Sequence, residues 1–384
     1  MAASTPNIAI TGIGTALPPY RMDQADTARR IVDALSHNPD SARWARRIFK
    51  QCGVETRYTC EPDLLNEASA CRYLPREDRT DVPSTAERMA VYKNASVPLA
   101  ISAARQALTD AKMEADRITH LITVSCTGQF LPGMDAALVR ELGLAPSVMR
   151  IPLTFIGCAA GMKAILLSKQ LVTGYSKANV LVVCVELCTL HIQPSGDRDA
   201  LFGASFFGDG ASACVVGVAG PQHQHVYQLG DDRTVLLPGG AEEMIWEVGN
   251  HGFDLYLSPN IPRLIGEYVP AEVERLIGDA KTELWAIHPG GKGIIEVLQA
   301  RYGLSDAQVS PSLSVLRDVG NVSSATILFV LQKMREQLSD QGTARASGLA
   351  LAFGPGLTAE MIQITYAASP VPTEHHVKDA QYVS

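Results

Sequence analysis

The chain has no unbroken apolar stretch of membrane-spanning length, no long basic run and no Cys/His spacing of a zinc site. The first absence argues against membrane insertion. The second, with a net charge of −7, sets nucleic acid aside as a partner. The third leaves no metal site to expect. The start, Met1-Ala2-Ala3-Ser4-Thr5-Pro6, lacks a charged segment followed by an apolar one, so no signal peptide is expected. What is present is a chain of 384 residues, 46% hydrophobic, enough to bury a large core as one big domain or two halves. The eight cysteines are scattered, and Cys184, Cys188 and Cys214 sit in apolar strands. Free thiols in a reducing cytoplasm are the expectation.

One cysteine stands apart. Cys158 lies in Ile156-Gly157-Cys158-Ala159-Ala160-Gly161, between an apolar run from Val148 to Phe155 and a stretch with helical spacing (Met162, Ile165, Leu166). The pattern reads as strand, sharp turn and buried helix, with a thiol at the helix start. Unpaired N–H groups there favour a thiolate and an oxyanion. A core cysteine is the bland alternative. Two further turns weigh against it. His288 ends a short apolar strand in Ile287-His288-Pro289-Gly290-Gly291, the end of a strand where α/β sheets place ligands. Asn321 lies in Gly320-Asn321-Val322-Ser323-Ser324-Ala325, ahead of an apolar helix, where a plain N-cap is the competing role. Cys, His and Asn together supply an acyl carrier, an activating base and donors for a thioester oxygen.

Those three segments, with Phe207-Gly208-Asp209-Gly210-Ala211 and Phe353-Gly354-Pro355-Gly356-Leu357-Thr358-Ala359-Glu360, occur in one order across most of the chain. Together they resemble the type III polyketide synthases, the chalcone and stilbene synthase family. Ser125-Cys126-Thr127-Gly128 and Leu131-Pro132-Gly133 look like its bacterial branch. The resemblance implies a thiolase-like α/β fold, with two pseudo-symmetric βα halves in α-β-α-β-α layers. It implies a homodimer acting on CoA thioesters, with acyl-CoA and malonyl-CoA as substrates and no cofactor. Cys158, His288 and Asn321 take the catalytic positions.

Alternating elements agree with that fold class. Strands are expected at Ile118–Cys126, Val180–Glu186, Ala211–Val218, Gly348–Phe353 and Glu360–Tyr366, with helices from about Ser96 to Lys112 and Ile261 to Ile277. Successive βα units favour a parallel-type sheet. The halves are expected at residues 1–222 and 223–384, with a loose polar tail from about Ala368.

The resemblance also assigns binding residues. Phe207 matches an aromatic gatekeeper, and Phe253 falls on a second one. Cys126 and His191 take cavity-lining positions. Ser323, Gly354, Pro355 and Gly356 join the cavity wall, and Leu131 is placed to approach a partner's cavity. Arg47 and Lys50, in a basic helical cluster with Arg43 and Arg46, are expected at the CoA phosphates, although such clusters are ordinarily solvated faces. The expected chemistry is loading of a starter on Cys158, decarboxylative Claisen extension and cyclisation to a pyrone or a resorcinol-type phenolic product. A fatty-acyl starter suits the bacterial-type segment, whereas a histidine at 191 suits a shorter or polar one. The alternatives are a ketoacyl synthase III-like or hydroxymethylglutaryl-CoA synthase-like enzyme, or a non-catalytic acyl-CoA binder.

Overall fold

Alternation of side chains along the strands sets the layers of this protein. In the computed structural model, which describes residues 7–75, 80–278 and 280–369, the strands are β1 (Ile8–Ala16), β2 (Tyr20–Asp23), β3 (Thr56–Thr59), β4 (His120–Ser125), β5 (Met149–Thr154), β6 (Val180–Leu187), β7 (Asp209–Val218), β8 (Val226–Leu236), β9 (Met244–Gly249), β10 (Gly252–Leu257), β11 (Leu284–Ile287), β12 (Arg345–Gly354) and β13 (Thr358–Ala367). The helices are α1 (Gln24–Ala34), α2 (Pro39–Gln51), α3 (Thr85–Asp110), α4 (Met134–Leu142), α5 (Ala160–Gly174), α6 (Arg198–Phe206), α7 (Ile261–Ile277), α8 (Lys292–Tyr302), α9 (Asp306–Val319) and α10 (Thr326–Asp340).

Along β6 and β7, Leu181, Val183, Ala213 and Val215 pack outward with Ala103, Ala104 and Ala107 of α3. Their neighbours Val180, Val182, Cys214 and Val216 pack inward, in one cluster with α5 and α10. β12 repeats the scheme: Leu349, Leu351 and Phe353 join residues of α7 and α8, while Ala350 and Ala352 face the central helices. Period-two alternation with both faces apolar is what a doubly covered sheet requires. The result is the layered α-β-α-β-α, thiolase-like arrangement.

The strand order is β11-β12-β13-β8-β1-β7-β6-β4-β5. β1 and β8 form a seam of two residue pairs, Ala9 with Gln228 and Ile10 with Tyr227. The two sides of the seam match. β4 and β6 are parallel, β6 and β7 antiparallel, β7 and β1 antiparallel. On the far side β11 and β12 are parallel, β12 and β13 antiparallel, β13 and β8 antiparallel. The sheet is therefore mixed, not parallel-type, because β12 returns directly into β13 and β6 returns into β7. α3 begins well before the expected Ser96, since Ser84 and Glu87 form a capping box ahead of Thr85. The expected tail lies almost wholly outside the described residues. Among the described residues no helix is long and apolar enough to cross a membrane.

The two central helices meet at their starts. A Cβ on Gly161, in the first turn of α5, would lie 2.1 Å from the Ser324 carbonyl oxygen just ahead of α10. Ion pairs also tie α5 to the second half: Lys163 to Glu360 at 2.8 Å, and Lys169 to Asp232 at 2.7 Å. Glu360 of the Gly354–Glu360 segment is fully buried and further accepts from Thr234. Gly161→Ala forces the helix starts apart. It should cost about 1–3 kcal/mol of stability, as overpacking of a tight core does. Urea unfolding checks this, and an unchanged midpoint would show that the contact yields freely.

Candidate active site

Cys158 sits in a 3₁₀ turn, Gly157–Ala159, that runs into α5, and no side chain caps this start. Gly157 has φ +72°, and a Cβ there would meet Pro355 at 2.2 Å. Only glycine fits both demands. Pro355 and Gly354 thereby press the turn from the end of β12, where Gly354 also leaves no space beside Ala159. β11 runs parallel to β12, so His288, just past its last residue, stands at the same end of the sheet. Gly356, the last of the trio, turns that loop with φ +67°.

Asn321 performs two tasks. Its Oδ1 accepts from the Ser323 N–H at 2.8 Å, a turn just ahead of the helix, whose own N-cap is Ala325. Its side chain and that of Ser323 also act on the Cys158 sulfur, each favouring the thiolate. Ser323 Oγ further lies 3.4 Å from Cys126 Sγ. Burial acts the other way and dominates. It pushes the Cys158 thiol up to about 11, and pushes His288 down to about 3. Among the described residues, neither ring nitrogen of His288, a fully buried side chain, has a hydrogen-bond partner.

A small chamber of about 30 Å³ adjoins the thiol, lined by Cys126, Cys158, Phe207, Trp246, Leu255 and Ser323 among others. A larger outer pocket of about 490 Å³ shares Cys188, Phe207, Trp246 and Leu255 with it. These four side chains, Phe207 among them, line both spaces, and Phe253 lines neither. It stacks on His191 at 4.2 Å and neighbours Phe155, and Leu255, two residues on along the same face of β10, takes the place beside Phe207. His191 borders the outer pocket, with both nitrogens bonded to backbone.

On α2, Arg46 and Lys50 line a groove of about 700 Å³ against α1. Arg47 is not in that lining and donates to Gln51 at 3.3 Å. Leu131 is 92% exposed.

Two functional residues escaped the sequence reading. Glu186 is fully buried and accepts from Cys126 N–H at 3.1 Å, Thr127 Oγ1 at 2.7 Å, Cys126 Sγ at 3.3 Å and, closely, Ser324 Oγ. Its charge raises the pKa of the Cys158 thiol. A carboxylate closing the apolar run Val180–Val185 was the available signal. Arg57, also fully buried, donates to the Phe207 carbonyl at 2.7 Å. On the other side of the gate, Asn321 N–H donates to Phe206 O at 2.9 Å and Gly208 N–H to Asn321 O at 3.0 Å. The gate and the catalytic asparagine therefore share a backbone framework.

Comparison with known proteins now decides the family. The model for chalcone and stilbene synthases, N-terminal domain, matches residues 2–221, and that for the C-terminal domain matches residues 228–367. The chain belongs to the chalcone and stilbene synthase family. It is a type III polyketide synthase, a condensing acyltransferase. It is 32% identical over 361 residues to the alpha-pyrone synthesis polyketide synthase-like Pks18 of Mycobacterium tuberculosis, covering 91% of this chain and 89% of that one. It is likewise 32% identical over 364 residues to type III polyketide synthase 21 of Oryza sativa subsp. japonica, covering 91% and 92%. The C-terminal type III domain of Steely1, a type I/III hybrid from Dictyostelium, superposes with a TM-score of 0.84 at 26% identity, covering 94% and 99%. PKS-I of the brown alga Ectocarpus siliculosus gives 0.85 at 26%, covering 95% and 100%. The ketoacyl synthase, hydroxymethylglutaryl-CoA synthase and non-catalytic readings are not favoured.

Removing the Glu186 charge should ease ionisation of Cys158. In Glu186→Gln the pH profile of iodoacetamide alkylation at Cys158 should move to lower pH. A profile unmoved, or moved to higher pH, would show that Glu186 exerts no field on the sulfur.

Proposed function

We propose that this synthase loads a short acyl group from a CoA thioester onto Cys158, extends it with malonyl-CoA and releases a pyrone or a resorcinol-type phenol. The observation that carries the reading is His288. A fully buried imidazole with no partner for either nitrogen is a costly arrangement unless a substrate supplies the bond. Burial keeps His288 neutral, and a neutral ring still has an N–H to donate.

In the loading step the Cys158 sulfur attacks the thioester carbonyl and CoA leaves as its thiol. The Cys158 proton passes to His288, where the imidazolium and the thiolate offset one another's desolvation. Malonyl-CoA then loses carbon dioxide. The electron pair of the broken C–C bond becomes an enolate, whose negative oxygen accepts from His288 and from the Asn321 amide. The enolate carbon attacks the acyl-enzyme and Cys158 is released. The protein's own groups suffice for these steps, with CoA thioesters as the substrates. Arg47 and the outer pocket lie on the side we assign to CoA, while Ser323, Cys126, Gly354, Pro355 and Gly356 shape the chamber.

The chamber of about 30 Å³ favours a short starter over the fatty chain that Ser125–Gly128 suggests. Pks18 is named for alpha-pyrone synthesis, and a pyrone is the ring a short chain closes with least space. We also propose a homodimer built on edge strand β5. Met149 on that strand is 55% exposed, and Leu131 projects from the same half towards the second copy. The halves at residues 1–222 and 223–384 are proposed to act as one unit, in the cytoplasm.

Incubation with acetyl-CoA and malonyl-CoA, without carrier protein, should give a pyrone or phenol detectable by mass spectrometry. Absence of any condensation product across acetyl-, hexanoyl-, lauroyl- and malonyl-CoA starters would sink the reading. Asn321→Ala should slow malonyl-CoA decarboxylation by about 100- to 1,000-fold. A near-normal rate would return Asn321 to its turn-forming role alone.

A further inference from the structure

Arg57 is the second residue of β3 and fully buried, an unusual place for a charge. Its Nη1 donates to the Phe207 carbonyl at 2.7 Å. Among the described residues its Nε and Nη2, both buried, have no hydrogen-bond partner. Its guanidinium carbon lies 5.8 Å from the centre of the Phe49 ring. Burial pushes its pKa down to about 10 while the Asp209 charge pulls the other way, so the group stays a cation at neutral pH. Burying a cation with donors left unpaired is costly. An apolar side chain would fill this place without that cost, so what the arrangement gains is its one strong bond.

That bond falls on the junction of two functional segments. Phe207 and Asn321 pair as an isolated β-bridge. It is closed by Asn321 N–H donating to Phe206 O at 2.9 Å and Gly208 N–H donating to Asn321 O at 3.0 Å. The glycine beside each bridge residue lies against Arg57. A Cβ on Gly208 would stand 3.1 Å from the Arg57 Cβ, and one on Gly320 would stand 3.3 Å from it. Each would also meet backbone, Val319 O at 2.8 Å and Phe206 O at 2.7 Å respectively. Arg57 therefore packs against both segments at once. Asp209, two residues past the gripped carbonyl, accepts from Thr189 N–H at 2.7 Å and Cys60 N–H at 2.9 Å, which anchors that end of the segment.

We propose that Arg57 is a positioning residue for malonyl decarboxylation: its grip on the Phe207 carbonyl holds the Phe207–Asn321 bridge, and with it the Asn321 amide, where the enolate oxygen forms. It acts through the backbone and not on the reacting atoms. With the grip lost, the Phe207 segment would shift, and the Asn321 backbone, bonded to it twice, would follow. An amide displaced from the enolate oxygen weakens binding of the transition state more than binding of the substrate, so the loss falls on turnover. The inference rests on the condensing activity proposed above.

The test measures malonyl-CoA decarboxylation in the unaltered protein, Arg57→Met and Arg57→Lys. Rates are taken per site that accepts a labelled acyl group, which removes any loss of folded protein from the comparison. Methionine keeps an apolar stem and removes charge and donors. Lysine keeps a charged donor. Arg57→Met should lower kcat by about 10- to 100-fold, the range that a slightly misplaced group produces, with KM little changed. Arg57→Lys should recover most of that loss. A folded Arg57→Met with the original kcat overturns the proposal. So does an Arg57→Lys no better than Arg57→Met, which would reduce Arg57 to packing. Should Arg57→Met fail to fold, Phe49→Leu, which takes away the ring beside the guanidinium, must lower kcat in the same direction, and an unchanged kcat there is equally fatal. An unaltered protein that neither decarboxylates malonyl-CoA nor forms a condensation product defeats the condensing reading and this role with it. One that does both, with no loss in the variants, defeats the role of Arg57 alone.

Discussion

The approach of two helix starts is the constraint on which the site depends. α5 brings Cys158 and α10 is preceded by Asn321 and Ser323, and the two arrive from opposite halves of the chain. They come together because Gly161 lets the α10 start come within a side chain's width. The seam between β1 and β8 holds only two residue pairs, so the central helices and their apolar cluster carry much of the union between halves. Lys163 and Lys169 add ion pairs across the same divide. Loss of one partner from such a semi-buried pair leaves the other charge poorly solvated.

A small, buried chamber follows from that packing, and it sets the chemistry. Burial penalises charge on either Cys158 or His288 taken singly. It penalises much less a proton moved from one to the other, which creates two opposite charges together. The same burial strengthens every donor aimed at a developing enolate oxygen. Glu186 opposes the thiolate and is itself held up by burial, with hydroxyl, thiol and amide donors around it in place of a cation. Burial and the Glu186 charge both act against the thiolate, and the Ser323 and Asn321 side chains act for it.

The parts of this architecture legible in the sequence were those written in local pattern. Apolar runs marked β4, β6 and β7 to within two residues, and turns rich in glycine marked the positions of Cys158, His288 and Asn321. The fold class followed from the order of the motifs. What depended on distant partners was not legible. The mixed sheet hinges on which neighbour each strand returns to. Leu255 lines the wall beside Phe207, while the start of β10 is drawn onto His191, a contact 62 positions apart. Trp246 and Glu186 matter through bonds to the Cys126 loop, and no spacing rule reveals those.

The most direct test is to trap the acyl-enzyme. The unaltered protein is incubated with an isotopically labelled short-chain acyl-CoA, digested, and its eight cysteine positions mapped by mass spectrometry. The account predicts a labelled thioester on the Cys158 peptide, discharged when malonyl-CoA is added. Label on Cys126 or Cys188 in its place, or no thioester at any cysteine while product still forms, would contradict it.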